Sequence, residues 1–500
     1  MGDLALRYSK LVISAAFGLA AALTNQAISA SSNPGSSAGP NSSTNSNSST
    51  LPVTPVTTTA TPVSSSNSGA EAACETVIKT ENVEIRPLSG KLDLIPVLNS
   101  NSPEVVRQEG ILASTRSQSP HLNYPLKGRF DIFLHHINNK IGQADAKTLY
   151  IAVLLENATK KEATVKVLQA SSYLSQPDAP FISVPAIIEN QEGKIFAGPG
   201  DRMTNDFLRN NQQPGWPKEI KLRGGRPYIL CNLPIPVSNL DPHLNGRSGL
   251  IKLDATAPVW ATVIGCFEQS DNNGKPVAPD SAYLERLLAN GQLAGPREAA
   301  ATQPKNGKIH YGRVAGIAIG SIWKALLVDP GKSYLNIPGQ NEALAYPLST
   351  VALGTLGGDQ IQSAPLAVRY PETAYEAHGN YGIKYELDLP LHNSQKAKAQ
   401  VSLSFSSPVK EISQNGHLAY KVNPAPRVFF RGTLKVSGQI PSPSPRFIHF
   451  ALRQGEIVPP FLTIDLAPGE TKKVKVEFLY PPDATPPQVL TIKSGFETKP

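Results

Sequence analysis

Charged side chains and methionine are scarce in this chain of 500 residues: Asp, Glu, Lys and Arg together make up 17% of it, and only 2 residues are Met. The charged fraction is below the usual quarter, but 40% of the residues are hydrophobic, which excludes global disorder. No dense Lys/Arg block and no RNA- or DNA-binding motif accompanies the net charge of +8. We therefore expect no nucleic-acid partner.

Long apolar runs are missing after the first 30 residues, so we expect no transmembrane span there. At the N-terminus, Arg7 and Lys10 precede an apolar run over 11–23, and small residues follow to Ala30. This order predicts a secretory signal peptide over 1–30, with an uncleaved anchor as the alternative. The protein is expected to be exported, to the periplasm, the cell surface or the extracellular space.

The segment that follows the signal lacks charge altogether. Residues 31–70 consist mainly of Ser, Thr, Asn and Pro, with almost no large apolar side chain. Such a segment cannot bury enough surface to offset its ordering entropy, so we predict a disordered N-terminal linker over 31–73. A tether through an envelope layer and a plain spacer both fit this composition.

Cysteine is rare as well, with only 3 residues. Cys231 and Cys266 each lie in an apolar, strand-like run and could form a disulfide in an oxidising compartment; two free core thiols are the alternative. Cys74 would be the odd thiol near the linker. No zinc-ligand spacing occurs in the sequence, and we expect neither a metal nor a cofactor.

Proline and glycine are frequent, with 45 and 38 residues, and they separate short apolar runs. Within these runs apolar and polar residues alternate with a period of two, as in "VSLSF" (401–405) and "VKVEF" (474–478). A strand with one buried and one solvent-exposed face is typical of antiparallel sheets packed in a sandwich. The sequence therefore predicts a mainly β fold.

One order of elements occurs twice: a strand, an Asn, a Lys-containing turn, an alternating strand, and later a Leu, a glycine turn and a further strand. The first copy lies in 149–168 and 222–236, and the second lies in 385–405 and 466–482. Aligning Asn157 with Asn393 places Ala163 on Ala399. The repetition suggests two related domains, although chance similarity between sandwich hairpins is an alternative.

We therefore predict two antiparallel β-sandwich (immunoglobulin-like) domains, the first over 74–275 and the second over 301–500. A helical connection is expected over 276–300. It contains a short amphipathic helix at 278–291, with Asp280 or Ser281 as its cap and Gly291 as its stop.

Two further segments have local signals. A shorter helix is expected within 102–110, because Pro103 suits the first turn of a helix. The glycine-rich stretch 197–203 is predicted to be a turn, because it lacks the helix start that phosphate binding uses.

Asp131, His135 and His136 interrupt an apolar run and raise the question of a metal site. On a strand, Asp131 and His135 share one face but lie about 13 Å apart, and His136 points to the opposite face. These three side chains cannot bind one ion together. We expect a strand with a polar end and no metal site.

Two polar loops, 239–250 and 368–382, carry residue types suited to ligand binding. The candidate ligand-binding residues are Asp241, His243, Asn245 and Arg247 in the first loop, and Arg369, Glu372, Tyr375, His378 and Tyr381 in the second. A His near a carboxylate could transfer protons, paired carboxylates could hydrolyse glycosides, and aromatic rings could stack on sugars. Alternatively, these polar groups only hold the loops in place.

Several stretches resemble a cyanobacterial family of secreted proteins known only as a domain of unknown function. They include "PLSGKLDLIPVLNSNSPEVVRQEGILAS" (87–114), "YGRVAGIAIGSIW" (311–323) and the long run over 346–382. The resemblance extends from about residue 85 to the C-terminus. It implies export from a cyanobacterial cell and implies no activity, cofactor or catalytic residue.

These observations favour an exported cell-envelope or extracellular protein that is not an enzyme. It would be a binding or structural protein that contacts surface polysaccharide or other envelope components through its loops. No G-x-S-x-G elbow, P-loop or Rossmann fingerprint is present in the sequence. A secreted hydrolase acting on glycans is the alternative, and a mainly structural role in a surface assembly is a third hypothesis.

Overall fold

The computed structural model describes residues 78–297, 299–303, 309–414 and 416–496. The predicted signal peptide and linker lie outside these ranges, as does Cys74. Strands account for 47% of the structure and helices for 5%, which confirms the predicted mainly β fold. Neither of the two described helices is long and apolar enough to cross a bilayer.

The first half of the described chain contains fourteen strands: β1 (Ile78–Asn82), β2 (Glu84–Ile85), β3 (Lys91–Leu92), β4 (Pro96–Ser100), β5 (Gly110–Ser114), β6 (Leu126–Asn139), β7 (Leu149–Asn157), β8 (Ala163–Leu174), β9 (Ile187–Glu189), β10 (Glu219–Leu222), β11 (Tyr228–Ile235), β12 (Leu244–Phe267), β13 (Gln269–Ser270) and β14 (Pro276–Val277). Two helices lie among them, α1 (Pro199–Arg209) and α2 (Ser281–Asn290).

The second half contains fourteen more strands: β15 (Ala315–Ile319), β16 (Ile322–Leu326), β17 (Leu335–Asn336), β18 (Ala343–Leu348), β19 (Ala364–Arg369), β20 (Glu376–Ala377), β21 (Lys384–His392), β22 (Ala399–Ser406), β23 (His417–Lys421), β24 (Val428–Gly438), β25 (Arg446–Arg453), β26 (Leu462–Leu466), β27 (Thr471–Leu479) and β28 (Gln488–Phe496).

Three large sheets organise these strands. The first has 11 strands in the order β10-β8-β12-β6-β4-β15-β19-β20, with β5, β7 and β11 attached; the second has 8, in the order β3-β16-β21-β27-β24-β25-β9, with β17 attached; the third has 5, in the order β2-β18-β28-β22-β26. Most pairs are antiparallel, while β4–β6, β16–β21, β17–β21 and β2–β18 are parallel. The 24-residue strand β12 pairs with β6 and β8 along its first part and with β5 and β7 along its second.

The core of the second half lies where the 8-stranded and 5-stranded sheets contribute side chains to one apolar cluster. On β22, Val401, Leu403 and Phe405 are buried, as the alternation in the sequence predicts. Tyr385 and Leu387 on β21 belong to the same cluster and are fully buried. The apolar face of each strand therefore faces a partner sheet, which is the arrangement of a β-sandwich.

The repeated order of elements is present in the fold as two sets of four strands: the first hairpin set (β7, β8, β10, β11) and the second hairpin set (β21, β22, β26, β27). In the first set β10 pairs with β8 and β11 with β7, all antiparallel, and in the second set β26 pairs with β22 and β27 with β21 in the same way. The register also agrees, because Leu222 lies opposite Ala163 and Leu466 lies opposite Ala399.

The two aligned asparagines make equivalent contacts. Asn157 donates from Nδ2 to the carbonyls of Lys161 and Leu222, at 2.5 and 2.9 Å. Asn393 donates from Nδ2 to the carbonyls of Ala397 and Leu466, at 2.9 and 3.0 Å. In both turns Oδ1 accepts the backbone N–H two residues later. The predicted correspondence of the two hairpins is confirmed.

Because these contacts join each turn to a neighbouring strand, Asn157→Ala and Asn393→Ala are each expected to lower the free energy of unfolding by about 1–3 kcal/mol. The loss should be larger for Asn393, which is fully buried, than for half-buried Asn157. Urea unfolding of both variants measures this, with Asn272→Ala at an exposed turn position as the control. Unchanged stability in both variants would contradict the shared role.

Helix α2 confirms the predicted helix between the two hairpin sets. Asp280 is its N-cap, and its Oδ1 accepts the Tyr283 N–H at 2.7 Å. Gly291 ends the helix with a φ of 68°, a left-handed conformation that glycine adopts without strain.

The shorter helix expected within 102–110 is wrong. The backbone there bonds to other segments instead of to itself: Val106 N–H donates to the Ile137 carbonyl, and Gln108 N–H donates to the Gly295 carbonyl. Pro103 is compatible with a helix start, but the bonds to neighbouring segments hold the chain extended.

Helix α1 begins where the sequence predicted a turn. Its N-cap, Gly198, supplies no side chain to cap the first turn. Asp201, within that turn, accepts the Ala197 N–H through Oδ2 at 2.7 Å, and the turn packs against Pro482 and Asp483. A Cβ at Gly200 would lie 2.7 Å from Asp483 Oδ2, so this close approach requires glycine.

Strands from both ends of the described chain share sheets. Strands β1, β2, β3 and β4 pair with β23, β18, β16 and β15, and β9 pairs with β25. The described residues belong to one compact unit. The division into domains at 74–275 and 301–500, with a connection over 276–300, stays a prediction.

Candidate functional site

The first candidate loop is partly a strand, because β12 already begins at Leu244. Asn245 is fully buried. Its Oδ1 accepts from the Ser175 hydroxyl at 2.7 Å and the Gln176 N–H at 3.0 Å, and its Nδ2 donates to the carbonyls of Gln176 and Pro236, both at 2.9 Å. All of these bonds hold neighbouring segments together. Asn245 therefore has no capacity left for a ligand.

Arg247 is similarly enclosed, with 8% of its surface exposed. Its Nε and Nη2 donate to the Pro234 carbonyl at 3.0 and 2.8 Å, and its Nη1 donates to the Ser172 hydroxyl at 3.2 Å. Burial lowers the pKa of the guanidinium to about 10. This arginine joins β12 to the strands beside it.

Arg369 and Tyr375 in the second loop bind each other. The Arg369 guanidinium lies 3.6 Å from the centroid of the Tyr375 ring. Its Nη1 also donates to the carbonyls of Tyr370, Pro371 and Thr373, at 3.0, 2.9 and 2.7 Å. Arg369 thus bonds to the backbone of its own turn, and its contact with Tyr375 further stabilises the loop.

The other two aromatic or acidic candidates also have internal partners. Glu372 Oε1 lies 3.5 Å from Arg297 Nε. The Tyr381 hydroxyl donates to the Ala484 carbonyl at 2.9 Å, and burial raises the pKa of this tyrosine.

His378 is enclosed as well, with an exposed fraction of 17% for its side chain. Its ring meets the Tyr311 ring edge-on, with the centroids 4.8 Å apart. Burial lowers the pKa of His378 to about 4, so the imidazole is neutral at pH 7.

The two loops lie at separate places in the fold. Arg247 is on β12 and Arg369 is on β19, and the sheet order β12-β6-β4-β15-β19 puts four inter-strand spacings between them. At the usual spacing that is about 19 Å, so residues of the two strands do not converge on one ligand. Asp241 is exposed and His243 half-buried, and the His243 carbonyl accepts the Lys140 N–H at 2.9 Å.

The possible disulfide is absent, because Cys231 and Cys266 are both free. They lie on β11 and β12, which flank β7 on opposite sides. Two inter-strand spacings separate the strands by about 10 Å, beyond the Cα separation that a disulfide allows. Burial raises the pKa of both thiols to about 12, which makes them unreactive.

The Asp131–His136 stretch is in the strand β6, as predicted, but its polar groups are inside the protein. Asp131 is 1% exposed and His136 is fully buried. His136 Nδ1–H donates to the Pro103 carbonyl at 3.0 Å, and Nε2 lies 2.9 Å from the Ser100 hydroxyl. Burial lowers the pKa of His136 to about 3. Within the described ranges, no group of three His, Cys, Asp or Glu side chains could hold a metal ion.

In the unfolded protein His136 takes up a proton near its ordinary pKa of about 6.5. In the folded protein the pKa of His136 is about 3, so the ring stays neutral until the pH falls to that value. The unfolded state therefore binds more protons in this range, and acid removes stability. Between pH 6.5 and pH 4 the free energy of unfolding is therefore expected to fall by about 3 kcal/mol less in His136→Asn, which keeps a donor for the Pro103 carbonyl, than in the parent protein. Urea unfolding at pH 7, 5.5 and 4 measures the difference. Identical pH slopes in both proteins would refute the neutral, buried imidazole.

A serine, a histidine and a glutamate meet next to this strand, in a cluster that we call the Glu104 network (Glu104, His135, Ser248, Arg313). His135 Nδ1 lies 2.9 Å from Ser248 Oγ, and its Nε2 lies 3.4 Å from Glu104 Oε1. Arg313 pairs with the second oxygen of the Glu104 carboxylate. The residue types are those of an activated nucleophile with its base and acid.

The burial of the Glu104 network favours a structural role. Ser248 is fully buried on β12, between β6 and β8, so its hydroxyl has no access to a substrate. Burial raises the pKa of Glu104, but the hydrogen bonds and charges of His135 and Arg313 outweigh it and hold the pKa below its ordinary value. Burial lowers the pKa of His135, and the contact with Glu104 outweighs it and raises the pKa. Glu104 is thus a buried carboxylate that contacts both the Arg313 guanidinium and the His135 imidazole.

An open groove of about 570 Å³ lies elsewhere on the surface, and we call it the Tyr283 groove. It is lined by Arg107, Glu109, Lys140, Asp145, Lys147, Phe267, Glu268, Gln269, Ser270 and Tyr283. The Tyr283 hydroxyl donates to Glu109 Oε1 at 2.6 Å, and the Lys140 ammonium lies 4.5 Å from the centroid of the Phe267 ring. Two aromatic rings are thus surrounded by charged and amide side chains.

No single stretch of the sequence could reveal this groove, because its lining comes from four segments and no local motif marks it. Of the candidate loop residues, His243 adjoins the groove through its carbonyl, which accepts the Lys140 N–H. A second groove, of about 650 Å³, is lined by Gln400, Gln439, Ile440, Pro441, Thr463, Ile464, Asp465 and Lys472 and has no aromatic ring.

Comparison with known proteins identifies a family without an assigned activity. No curated protein matches the chain significantly. A family model described as "Protein of unknown function (DUF3370)" matches residues 83–494, which includes both hairpin sets, the Glu104 network and the Tyr283 groove. The chain therefore belongs to the family of proteins of unknown function DUF3370.

Proposed function

We propose that this protein is an exported, non-enzymatic component of the cyanobacterial cell envelope or extracellular space that binds surface polysaccharide. Export is supported by residues 1–30, in which charged residues are followed by an apolar run and then by small residues. The resemblance of the chain to secreted cyanobacterial proteins supports the same location. Polysaccharide is the abundant polymer in that environment that a polar, partly aromatic surface can hold.

The Tyr283 groove is the observation that carries the proposal. Sugar rings present C–H groups that pack on the electron-rich faces of aromatic side chains, and their hydroxyls bond to carboxylates, amides and guanidinium groups. The groove supplies both kinds of partner, with Phe267 and Tyr283 among charged side chains. Its volume falls in the usual range of small-molecule sites.

Co-sedimentation of the full-length protein with isolated envelope polysaccharide, at low and at high salt, tests the proposal. Retention that persists at high salt is the expected result, because stacking and short hydrogen bonds are not screened. Retention that disappears with salt would reduce the effect to the net charge of +8. Absence of retention at both salt concentrations would contradict polysaccharide binding.

A secreted glycan hydrolase is the second candidate, and the composition of the Glu104 network is what favours it. The His135 ring joins the other two residues, with Nε2 at 3.4 Å from Glu104 Oε1 and Nδ1 at 2.9 Å from Ser248 Oγ. The full burial of Ser248 weighs against it. Cleavage of the polysaccharide, and not only its retention, separates this candidate from a binding protein.

A further inference from the structure

We infer that the Tyr283 groove is the polysaccharide site and that it selects uncharged sugar chains over acidic ones. This inference rests on the proposed function and specifies both the site and the class of ligand.

Both aromatic rings are held in place before any ligand arrives. Tyr283 lies in the first turn of α2, where its backbone N–H is bonded to the Asp280 cap and its hydroxyl to Glu109. Phe267 is the last residue of β12, and the ring is partly buried against the core of the first half. Ligand binding therefore costs little ordering of these rings.

The Lys140 ammonium lies over the Phe267 ring, 4.5 Å from the ring centroid. Lysine is a flexible side chain with a strongly hydrated charge, so it can move aside and donate to a sugar hydroxyl. The backbone of Lys140 is itself held by the carbonyl of His243. A longer sugar chain leaving the groove past Lys140 would run beside His243, one of the residues expected to bind ligand.

The charges along the groove cancel. Three cationic side chains and three carboxylates line it: Arg107, Lys140 and Lys147 against Glu109, Asp145 and Glu268. A chain bearing carboxylates or sulfates would meet these acids as well as the cations, so the groove offers no net attraction to an anion. Uncharged hydroxyls, in contrast, can use donors and acceptors of both signs.

Arg107 and Glu268 are the side chains best placed to bond hydroxyls. Their backbones are held by hydrogen bonds to the carbonyls of Gly295 and Thr148, at 3.0 and 2.9 Å. Neither side chain makes a hydrogen bond or ion pair to another residue in the part of the chain that the structure describes. A fixed backbone with an uncommitted polar end is what a binding position requires.

The test separates envelope polysaccharide into neutral and acidic fractions and measures retention of each by the full-length protein at high salt. Arg107→Ala and Phe267→Ala are the groove variants, and Lys472→Ala in the second groove is the matched control. Arg107 is exposed, so its variant reports on binding even where Phe267→Ala reduces stability. Each groove variant is expected to weaken retention of the neutral fraction by about tenfold, and the control should equal the parent protein.

Three results would overturn the inference. Retention of the acidic fraction alone would contradict the ligand class. Retention of the neutral fraction that both groove variants preserve would refute the site while leaving the proposed function in place. Failure of the parent protein to retain either fraction would remove the proposed function together with the site.

Discussion

Replacement of Glu104 by alanine is expected to lower the free energy of unfolding by about 3–5 kcal/mol, because it leaves the buried Arg313 guanidinium without its counter-ion and the His135 ring without its partner. Arg313 and His135 both contact the Glu104 carboxylate, and the side chains of all three residues are at most 19% exposed. Glu104→Gln keeps a polar group of similar shape and should cost less. Urea unfolding at pH 7 measures both losses.

The histidine in this network gives an independent readout. The contact with Glu104 raises the pKa of His135 against the opposing effect of burial. In Glu104→Gln the burial remains and the anion is gone, so NMR titration should show the pKa of His135 moving below its ordinary value. Glu192→Ala, at an exposed pair with Lys194, serves as the control. An unchanged pKa of His135 together with unchanged stability would contradict the network.

Phe405→Ala is expected to lower the free energy of unfolding by about 3–5 kcal/mol as well, through loss of apolar contacts and creation of a cavity. Phe405 on β22 is 1% exposed. Its ring meets the rings of Phe430, Phe450 and Phe478 edge-on, with centroid distances of 5.0, 5.4 and 5.7 Å. These partners lie on β24, β25 and β27, so a single ring connects the 5-stranded sheet with the 8-stranded sheet.

Phe405→Leu refills part of the cavity and should cost only about 1–2 kcal/mol. Leu326→Ala removes an apolar side chain that is 53% exposed and is the control for a change outside the core. In thermal and urea unfolding, the loss of stability should be largest for Phe405→Ala, smaller for Phe405→Leu and smallest for the control Leu326→Ala. Equal stability of Phe405→Ala and Leu326→Ala would mean that the two sheets do not depend on this contact.

Strands and hairpins could be predicted from the sequence because their signals are local. The alternation in "VSLSF" (401–405) places Val401, Leu403 and Phe405 on one buried face. The cap and stop of α2, Asp280 and Gly291, lie within the helix signal itself. Each of these elements shows its conformation within about a dozen residues.

Helix α1 could not be predicted in this way. Its first turn packs against Pro482 and Asp483, which lie nearly three hundred residues later in the chain. The fold brings that carboxylate to the helix, so the local sequence, with Gly198 at the cap, reads as a turn. The apparent helix at 102–110 fails for the converse reason, because neighbouring segments take up its backbone hydrogen bonds.

The candidate site was harder still, because polarity in the sequence does not reveal burial. Asn245 and Arg247 have the residue types of a binding loop, yet both are buried. Their side chains donate to backbone carbonyls of other segments of the chain. The Tyr283 groove has the opposite character. Its residues are ordinary one by one, and only the packing of α2 beside the end of β12 brings Tyr283 and Phe267 together.

We propose that the protein binds envelope polysaccharide in the Tyr283 groove without cleaving it. The most direct measurement incubates the full-length protein with the neutral polysaccharide fraction and determines bound sugar and new reducing ends in the same samples over time. Binding without cleavage predicts bound sugar that decreases in Arg107→Ala, with reducing ends constant at the level of polysaccharide alone. Reducing ends that rise with time and with protein concentration, and that Glu104→Gln abolishes, would contradict it and assign the chemistry to the Glu104 network.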